Sequence, residues 1–167
     1  IQYAIEDWPL RIVALDSVIP MQGEGRLGAE QLAWLEGTLA SGAERPTIVA
    51  LHHPPFDVGI GFMDQLGLED RDDLLAILAR HRQVVGVLAG HVHQTIVRLL
   101  GHAVGMIAPS TAHQIPLELV PDGPEVFVME PPGFLLHEWD GTALRSHHGY
   151  IGEYGPKYLF GSGDPVA

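Results

Sequence analysis

Histidines that follow apolar segments are the residues of this chain best suited to chemistry. The motif Gly-His-Val-His at 90–93 directly follows one apolar run, and His-His-Pro-Pro at 52–55 directly follows another. Residues two apart in extended backbone point to the same side, so His91 and His93 are expected to face one point or two neighbouring metals. Neutral imidazole is a ligand for zinc, iron, nickel and copper. The spacing therefore predicts a metal site built from histidines.

The first half of the chain has the pattern of an α/β layer. Apolar strand segments alternate with amphipathic helix segments: a strand at 10–18, a helix at 29–40, a strand at 47–51, a helix from about 70 to 82 that Asp70 or Asp72 could cap, and a strand at 84–89. Ligands in open α/β sheets gather outside the carboxyl ends of the strands. Because both histidine motifs follow strands, they are expected at one edge of a mostly parallel sheet.

The second half of the chain has the sequence pattern of short strands rather than of alternating strands and helices. Short strand segments separated by Gly, Pro and Asp are predicted at 95–100, 103–107, 116–120, 125–129, 134–139 and 143–148. Asp140-Gly141 is a strong hairpin signal between the last two. We expect an antiparallel extension that ends near 151 and an irregular tail at 152–167. His102, His147 and His148 are expected to be surface residues.

Composition limits the partners and the chemistry. The 167 residues carry 9 Lys plus Arg and 21 Asp plus Glu, a formal net charge of −12, which disfavours nucleic-acid polymers and acidic membrane surfaces. With no cysteine, thiolate zinc sites, iron–sulfur centres and cysteine nucleophiles are excluded, which fits a cytoplasmic protein. Every apolar run is far shorter than the roughly 18 residues of a membrane span.

Taken in order, the motifs resemble those of calcineurin-like metallophosphoesterases, and within them the bacterial cyclic-nucleotide and glycerophosphodiester phosphodiesterases. The resemblance extends from about residue 3 to 151. It rests on the two histidine motifs together with Phe-Met-Asp at 62–64, Pro-Ser-Thr-Ala-His-Gln at 109–114 and Glu-Pro-Pro-Gly-Phe at 130–134, followed by His137 and Trp139.

This resemblance implies a four-layer αββα sandwich with two divalent metal ions (Fe, Mn, Zn or Co) between its sheets. It implies that His52 and His91 ligate one metal and His93 the other, while a metal-bridging hydroxide attacks a small phosphodiester. His52 is preferred because the family's ligand lies two residues before a proline, a condition that His53 also meets. His53, His113 and Asp64 are second-sphere or substrate-contacting candidates.

The chain departs from the family pattern in what it lacks. It has no Asp-x-His, no Gly-Asp-x-x-Asp and no asparagine, so the family's bridging carboxylate, amide ligand and leaving-group histidine have no counterparts. We therefore expect the C-terminal half of a phosphodiesterase domain at 1–151, active as the intact enzyme and inactive alone. A sheet face without its covering layer predicts a homo-oligomer or association with the chain's own N-terminal half. A histidine-rich metal-binding module without activity, and an oligomerisation domain with incidental histidines, remain alternatives.

Overall fold

The computed structural model describes residues 1–166, which form ten strands and three helices. The strands are β1 Tyr3–Ile5, β2 Arg11–Ala14, β3 Thr47–Ala50, β4 Val84–Ala89, β5 Ile96–Leu100, β6 Ala103–Ile107, β7 Gly133–Trp139, β8 Leu144–Tyr150, β9 Lys157–Tyr158 and β10 Pro165–Val166. The helices are α1 Gly28–Ala40, α2 Gly61–Gln65 and α3 Arg71–Arg80. The expected mixed α/β class is confirmed.

A six-stranded sheet in the order β1-β2-β3-β4-β6-β5 is the centre of the fold. Its four middle strands are parallel, and β1 and β5 flank them antiparallel. The carboxyl ends of β2, β3, β4 and β6 therefore lie along one edge, which we call the rim. The rim carries both histidine motifs.

Helices α1 and α3 cover one face of the sheet. Leucines at helical spacing on α1 are buried, as is the apolar side of α3, and they pack on inward-facing strand residues. The shared core consists of Leu32, Leu35, Leu39, Leu74, Ile77 and Leu78 from the helices and Val13, Val49, Val84 and Val87 from the strands, among others. This core fixes the strand ends that carry the histidines.

The β7–β8 hairpin lies across the other face of the sheet. A Cβ added to Gly86 of β4 would lie 3.0 Å from Cδ2 of Leu144, so the hairpin packs closely at this glycine. Two apolar cavities of about 440 Å³ flank the contact, one above β2 and β3 and the other above β4 and β6; Trp139 and Leu144 line both. The hairpin thus covers the middle of this face.

Several expectations about single elements are wrong. The first long strand ends at Ala14 rather than near residue 18, because the chain leaves the sheet to reach Ser17 and the loop beyond. Strand β6 joins the first sheet parallel to β4 rather than an antiparallel extension. The segments 116–120 and 125–129 form no strand; only Val128 pairs, with Gln114.

The helix ends also differ from expectation. Asp70 occupies the N-cap position of α3 without a side-chain cap bond there. Its carboxylate instead accepts hydrogen bonds from the backbone N–H groups of Leu27 and Gly28, at the start of α1 (2.7–3.1 Å). A negative group at that terminus is favourable for the α1 dipole. Asp70 therefore ties the two outer helices together.

Within the expected irregular tail, residues 152–166 include one short antiparallel pair, β9 with β10. Across residues 1–166, every helix is too short or too polar to cross a bilayer.

Candidate metal centre

Three histidines meet at the rim. Among residues 1–166, His52, His53 and His91 form the one group of at least three possible metal ligands in which a ring nitrogen of each lies within 4.8 Å of one from the others. Nε2 of His52 is 3.3 Å from Nδ1 of His91, and the backbone carbonyl of His52 accepts a 3.0 Å hydrogen bond from the N–H of Gly90. The loops after β3 and β4 are therefore joined at the point where their histidines converge.

His53 is held in one orientation by Ser17 and Gly23. Its Nε2 lies 3.0 Å from the carbonyl oxygen of Gly23, so Nε2 must carry the proton, since a carbonyl only accepts. Nδ1 is then an acceptor for the hydroxyl of Ser17 at 2.9 Å, and the same hydroxyl accepts from the backbone N–H of His53 at 3.1 Å. Both ring nitrogens of the buried His53 are thus engaged. Of the two adjacent histidines, His52 is the one with a nitrogen directed to His91.

The backbone of the 90–93 loop is not extended, contrary to the sequence expectation. His91 and His93 both have left-handed backbone, with φ of 67° and 55°. A tight turn, in which Val92 N–H donates to the Gly90 carbonyl at 2.7 Å, produces this geometry. Such conformations are unfavourable for residues with a Cβ and cluster at functional sites. The turn sends the two imidazoles in different directions.

His93 lies beside His113 and outside the three-histidine group. Their rings are 4.7 Å apart, and Nδ1–H of His93 donates to the backbone carbonyl of His113 at 3.1 Å. Because Nδ1 is the donor, the lone pair of the neutral ring is on Nε2. A ligand histidine in metalloproteins usually donates its other N–H to an oxygen in this way. The ring of His113 also contacts Phe127, at 4.9 Å between centroids.

Burial lowers the pKa values of these histidines and so favours their neutral form. It lowers the pKa of His91 from 6.5 to about 4, and like-charge repulsion from His53 and His52 adds to the effect. Nε2 of His91 is buried without a hydrogen-bond partner, which makes imidazolium costly there. Burial also lowers the pKa values of His52 and His93, with smaller contributions from His53 and His113, respectively. Neutral rings with available lone pairs are the form that binds metal ions.

The histidine group fits a divalent metal ion. Two nitrogens bound to one tetrahedral zinc ion at about 2.0–2.1 Å lie about 3.3–3.4 Å apart. The observed 3.3 Å between Nε2 of His52 and Nδ1 of His91 matches that separation. The donor chemistry also fits, because the pKa values of both rings are lowered, which favours the neutral form.

Two further residues shape the rim. Asp64 accepts hydrogen bonds from the backbone N–H groups of Val58 and Gly59, at 2.6 and 2.9 Å, and so closes the loop between β3 and α2. Ser17, which holds His53, was missed by the sequence reasoning. Its place just after a strand that ends at the rim is the signal that could have found it.

Comparison with curated proteins gives close relatives. The chain is 38% identical over 158 residues to the probable glycerophosphodiester phosphodiesterase GpdQ of Arcobacter nitrofigilis. The aligned region covers 93% of this chain and 58% of that protein. It is 40% identical over 131 residues to a probable cyclic nucleotide phosphodiesterase of Synechococcus, covering 78% of this chain and 50% of the relative. The chain thus spans about half the length of these relatives. No family model matches it.

Solved structures agree on the fold at low sequence identity. A dimetal phosphatase from Danio rerio superposes with a TM-score of 0.54 at 14% identity, covering 87% of this chain and 59% of that one. GAP50, described as the anchor in the inner membrane complex of Plasmodium, gives a TM-score of 0.60 at 15% identity, covering 95% and 47%. The histidine motifs at the rim, the related phosphodiesterases and the shared fold lead to one conclusion: the chain belongs to the calcineurin-like metallophosphoesterase family.

Proposed function

We propose that this chain supplies the histidine ligands of a dinuclear, metal-dependent phosphodiesterase that acts on cyclic nucleotides or glycerophosphodiesters. The observation that carries the proposal is the 3.3 Å approach of Nε2 of His52 to Nδ1 of His91 between two strand ends. Relatives named as phosphodiesterases of both types support the substrate class.

Each rim histidine has a distinct part in the proposal. His52 and His91 hold one ion, and His93 holds the second through Nε2, because its Nδ1–H is committed to the carbonyl of His113. His53 stays outside the ligand set and supports the ring of His91, whose centroid is 4.4 Å away. His113 faces the same rim and is positioned to contact the substrate. Divalent ions bound there would supply positive charge for the phosphoryl oxygens, which a chain of net charge −12 otherwise lacks.

We propose that the 167-residue chain has no appreciable phosphodiesterase activity by itself. In residues 1–166, the group able to hold a metal contains only imidazoles, without a carboxylate to bridge two ions. Bis(p-nitrophenyl) phosphate incubated with the pure chain and Zn²⁺, Mn²⁺, Co²⁺ or Fe²⁺ should remain intact. Robust metal-dependent hydrolysis would show that the ligand set is complete without further residues.

Zinc binding tests the metal site itself. Calorimetric titration of the chain should show one zinc site that the double variant His52→Ala/His91→Ala weakens by more than about tenfold. His147→Ala, which removes an exposed imidazole on β8, is the matched control and should bind zinc normally. Unchanged zinc affinity in the double variant would refute the site.

We also propose that the hairpin-covered face of the sheet is an association surface for another β layer, either of a second copy or of further residues of the intact enzyme. The apolar cavities on both sides of Leu144 support this, as does Trp8, which lines the cavity above β2 and β3 and is 61% exposed. Light scattering should give a mass above that of one chain. A monomer that binds no apolar dye would contradict the proposal.

A further inference from the structure

A cavity of about 580 Å³ lies next to the candidate metal centre. Two of its lining residues directly follow rim histidines, since Gln94 succeeds His93 and Gln114 succeeds His113. His93 and His113 are themselves hydrogen-bonded to each other. A group linked to a phosphate near His93 could therefore extend into this cavity.

The far wall of the cavity consists of aromatic rings. His148 and Tyr150 of β8 lie 4.7 Å apart between ring centroids, and Tyr154, just beyond the strand, lies 5.7 Å from Tyr150. Nδ1 of His148 is 2.8 Å from Oγ1 of Thr95, so the hairpin is fastened to the loop that carries His93. Tyr150 remains 60% exposed and Tyr154 61%, which leaves ring surface available to a ligand.

The polar groups of the wall exclude an anion and favour a hydrogen-bond donor. Within the described residues, neither lysine nor arginine lines this cavity. The amide of Gln114 is occupied by the backbone of Ser110, at 2.8 and 3.1 Å. The charged side chain in the lining is Glu130, whose carboxylate accepts hydrogen bonds.

We propose that this cavity binds the base of a nucleotide substrate, with Tyr150 stacking on the ring, Tyr154 contacting its edge and Glu130 accepting from its amino group. The proposal rests on the proposed function and adds to it a preference for a nucleotide over a glycerol ester. Aromatic rings bind a flat heterocycle by stacking on it. Replacing a stacking aromatic residue by alanine lowers the affinity for a base by severalfold to more than a hundredfold. Glycerol has no π-face to stack, so the cavity gives it little affinity.

Adenosine, which has no phosphate, tests the cavity without the metal centre. In a chelator-containing buffer, nuclear magnetic resonance titration of the chain should detect adenosine binding that Tyr150→Ala weakens at least about fivefold. Tyr150→Phe keeps the ring and should change affinity less than about twofold. Tyr158→Ala, an exposed tyrosine outside the cavity, is the matched control and should bind as the native chain does.

Glu130→Gln provides a test that does not depend on whether Tyr150→Ala folds correctly. Inosine carries a carbonyl where adenosine carries its amino group, so Glu130→Gln should lower the ratio of adenosine to inosine affinity. Equal adenosine affinity in the native chain, Tyr150→Ala and Glu130→Gln would overturn the proposal. Glycerol binding that depends on Tyr150 as strongly as adenosine binding does would overturn it as well.

Zinc with inorganic phosphate separates this inference from the proposed function. Phosphate binding to the zinc-loaded chain should depend on His52 and His91 and be indifferent to Tyr150→Ala. If phosphate and zinc bind as expected while adenosine does not, the base site fails and the proposed function stands. If adenosine binds as expected while zinc does not, the proposed function fails.

Discussion

Removing the hydroxyl of Ser17 should destabilise the chain through His53. Ser17 is fully buried, and its Oγ both accepts from the backbone N–H of His53 and donates to its Nδ1. In Ser17→Ala these two buried groups lose their partners. An unpaired buried polar group costs about 1–3 kcal/mol, so the loss of two partners should lower the free energy of unfolding by about 2–6 kcal/mol.

Urea denaturation of the metal-free chain, followed by circular dichroism, measures this loss. Ser146→Ala is the matched control, because Ser146 also hydrogen-bonds a histidine, at 2.8 Å to Nδ1 of His137, but at an exposed position. It should cost less than about 0.5 kcal/mol.

A double-mutant cycle with His53→Ala isolates the pair. In the His53→Ala background Nδ1 is already gone, so Ser17→Ala should cost clearly less than in the native chain. A single-variant loss as small as that of Ser146→Ala, or a cost that is the same in both backgrounds, would refute the reasoning.

Two more perturbations test the rim and the hairpin. The pKa of His91 is lowered to about 4 in the folded chain, so the unfolded state binds more protons below pH 6.5. Because the ring is partly exposed, we expect the free energy of unfolding of the metal-free chain to fall through this ring by about 1–2 kcal/mol as the pH falls from 6.5 to 4. Urea titrations should show a shallower fall in His91→Gln, and an equal fall in both proteins would contradict the pKa assignment. Gly86→Val places methyl groups against Leu144 and should cost about 1–3 kcal/mol of unfolding free energy. Adding Leu144→Ala should recover part of this cost, and a fully additive double variant would show that the hairpin does not pack there.

The sequence predicted the layer that carries the site more accurately than the loops that shape it. Apolar runs such as 84–89 and the leucines of α1 identify buried elements because their periodicity is local. The rim also followed from the sequence, since the carboxyl ends of parallel strands share an edge. The left-handed backbone of His91 and His93 did not follow, because single non-glycine residues enter that region only under tertiary constraint.

Contacts distant in sequence explain the remaining differences. Ser17 and His53 are 36 residues apart, and no local pattern links a serine after one strand to a histidine after another. The carboxylate of Asp70 reaches Leu27 and Gly28, more than 40 residues away, instead of capping its own helix. The aromatic wall near the rim depends on the register of β8, which places His148 and Tyr150 on the same side two residues apart.

We propose that His52 and His91, rather than His53, bind the metal ion at the rim. Long-range ¹H–¹⁵N correlation spectra of the imidazoles, recorded with and without Zn²⁺, test it most directly. We expect zinc-dependent ¹⁵N shifts at Nε2 of His52 and Nδ1 of His91, while both ring nitrogens of His53 keep the values set by Ser17 and Gly23. A zinc-induced shift at His53 in place of His52, or none at His91, would contradict it.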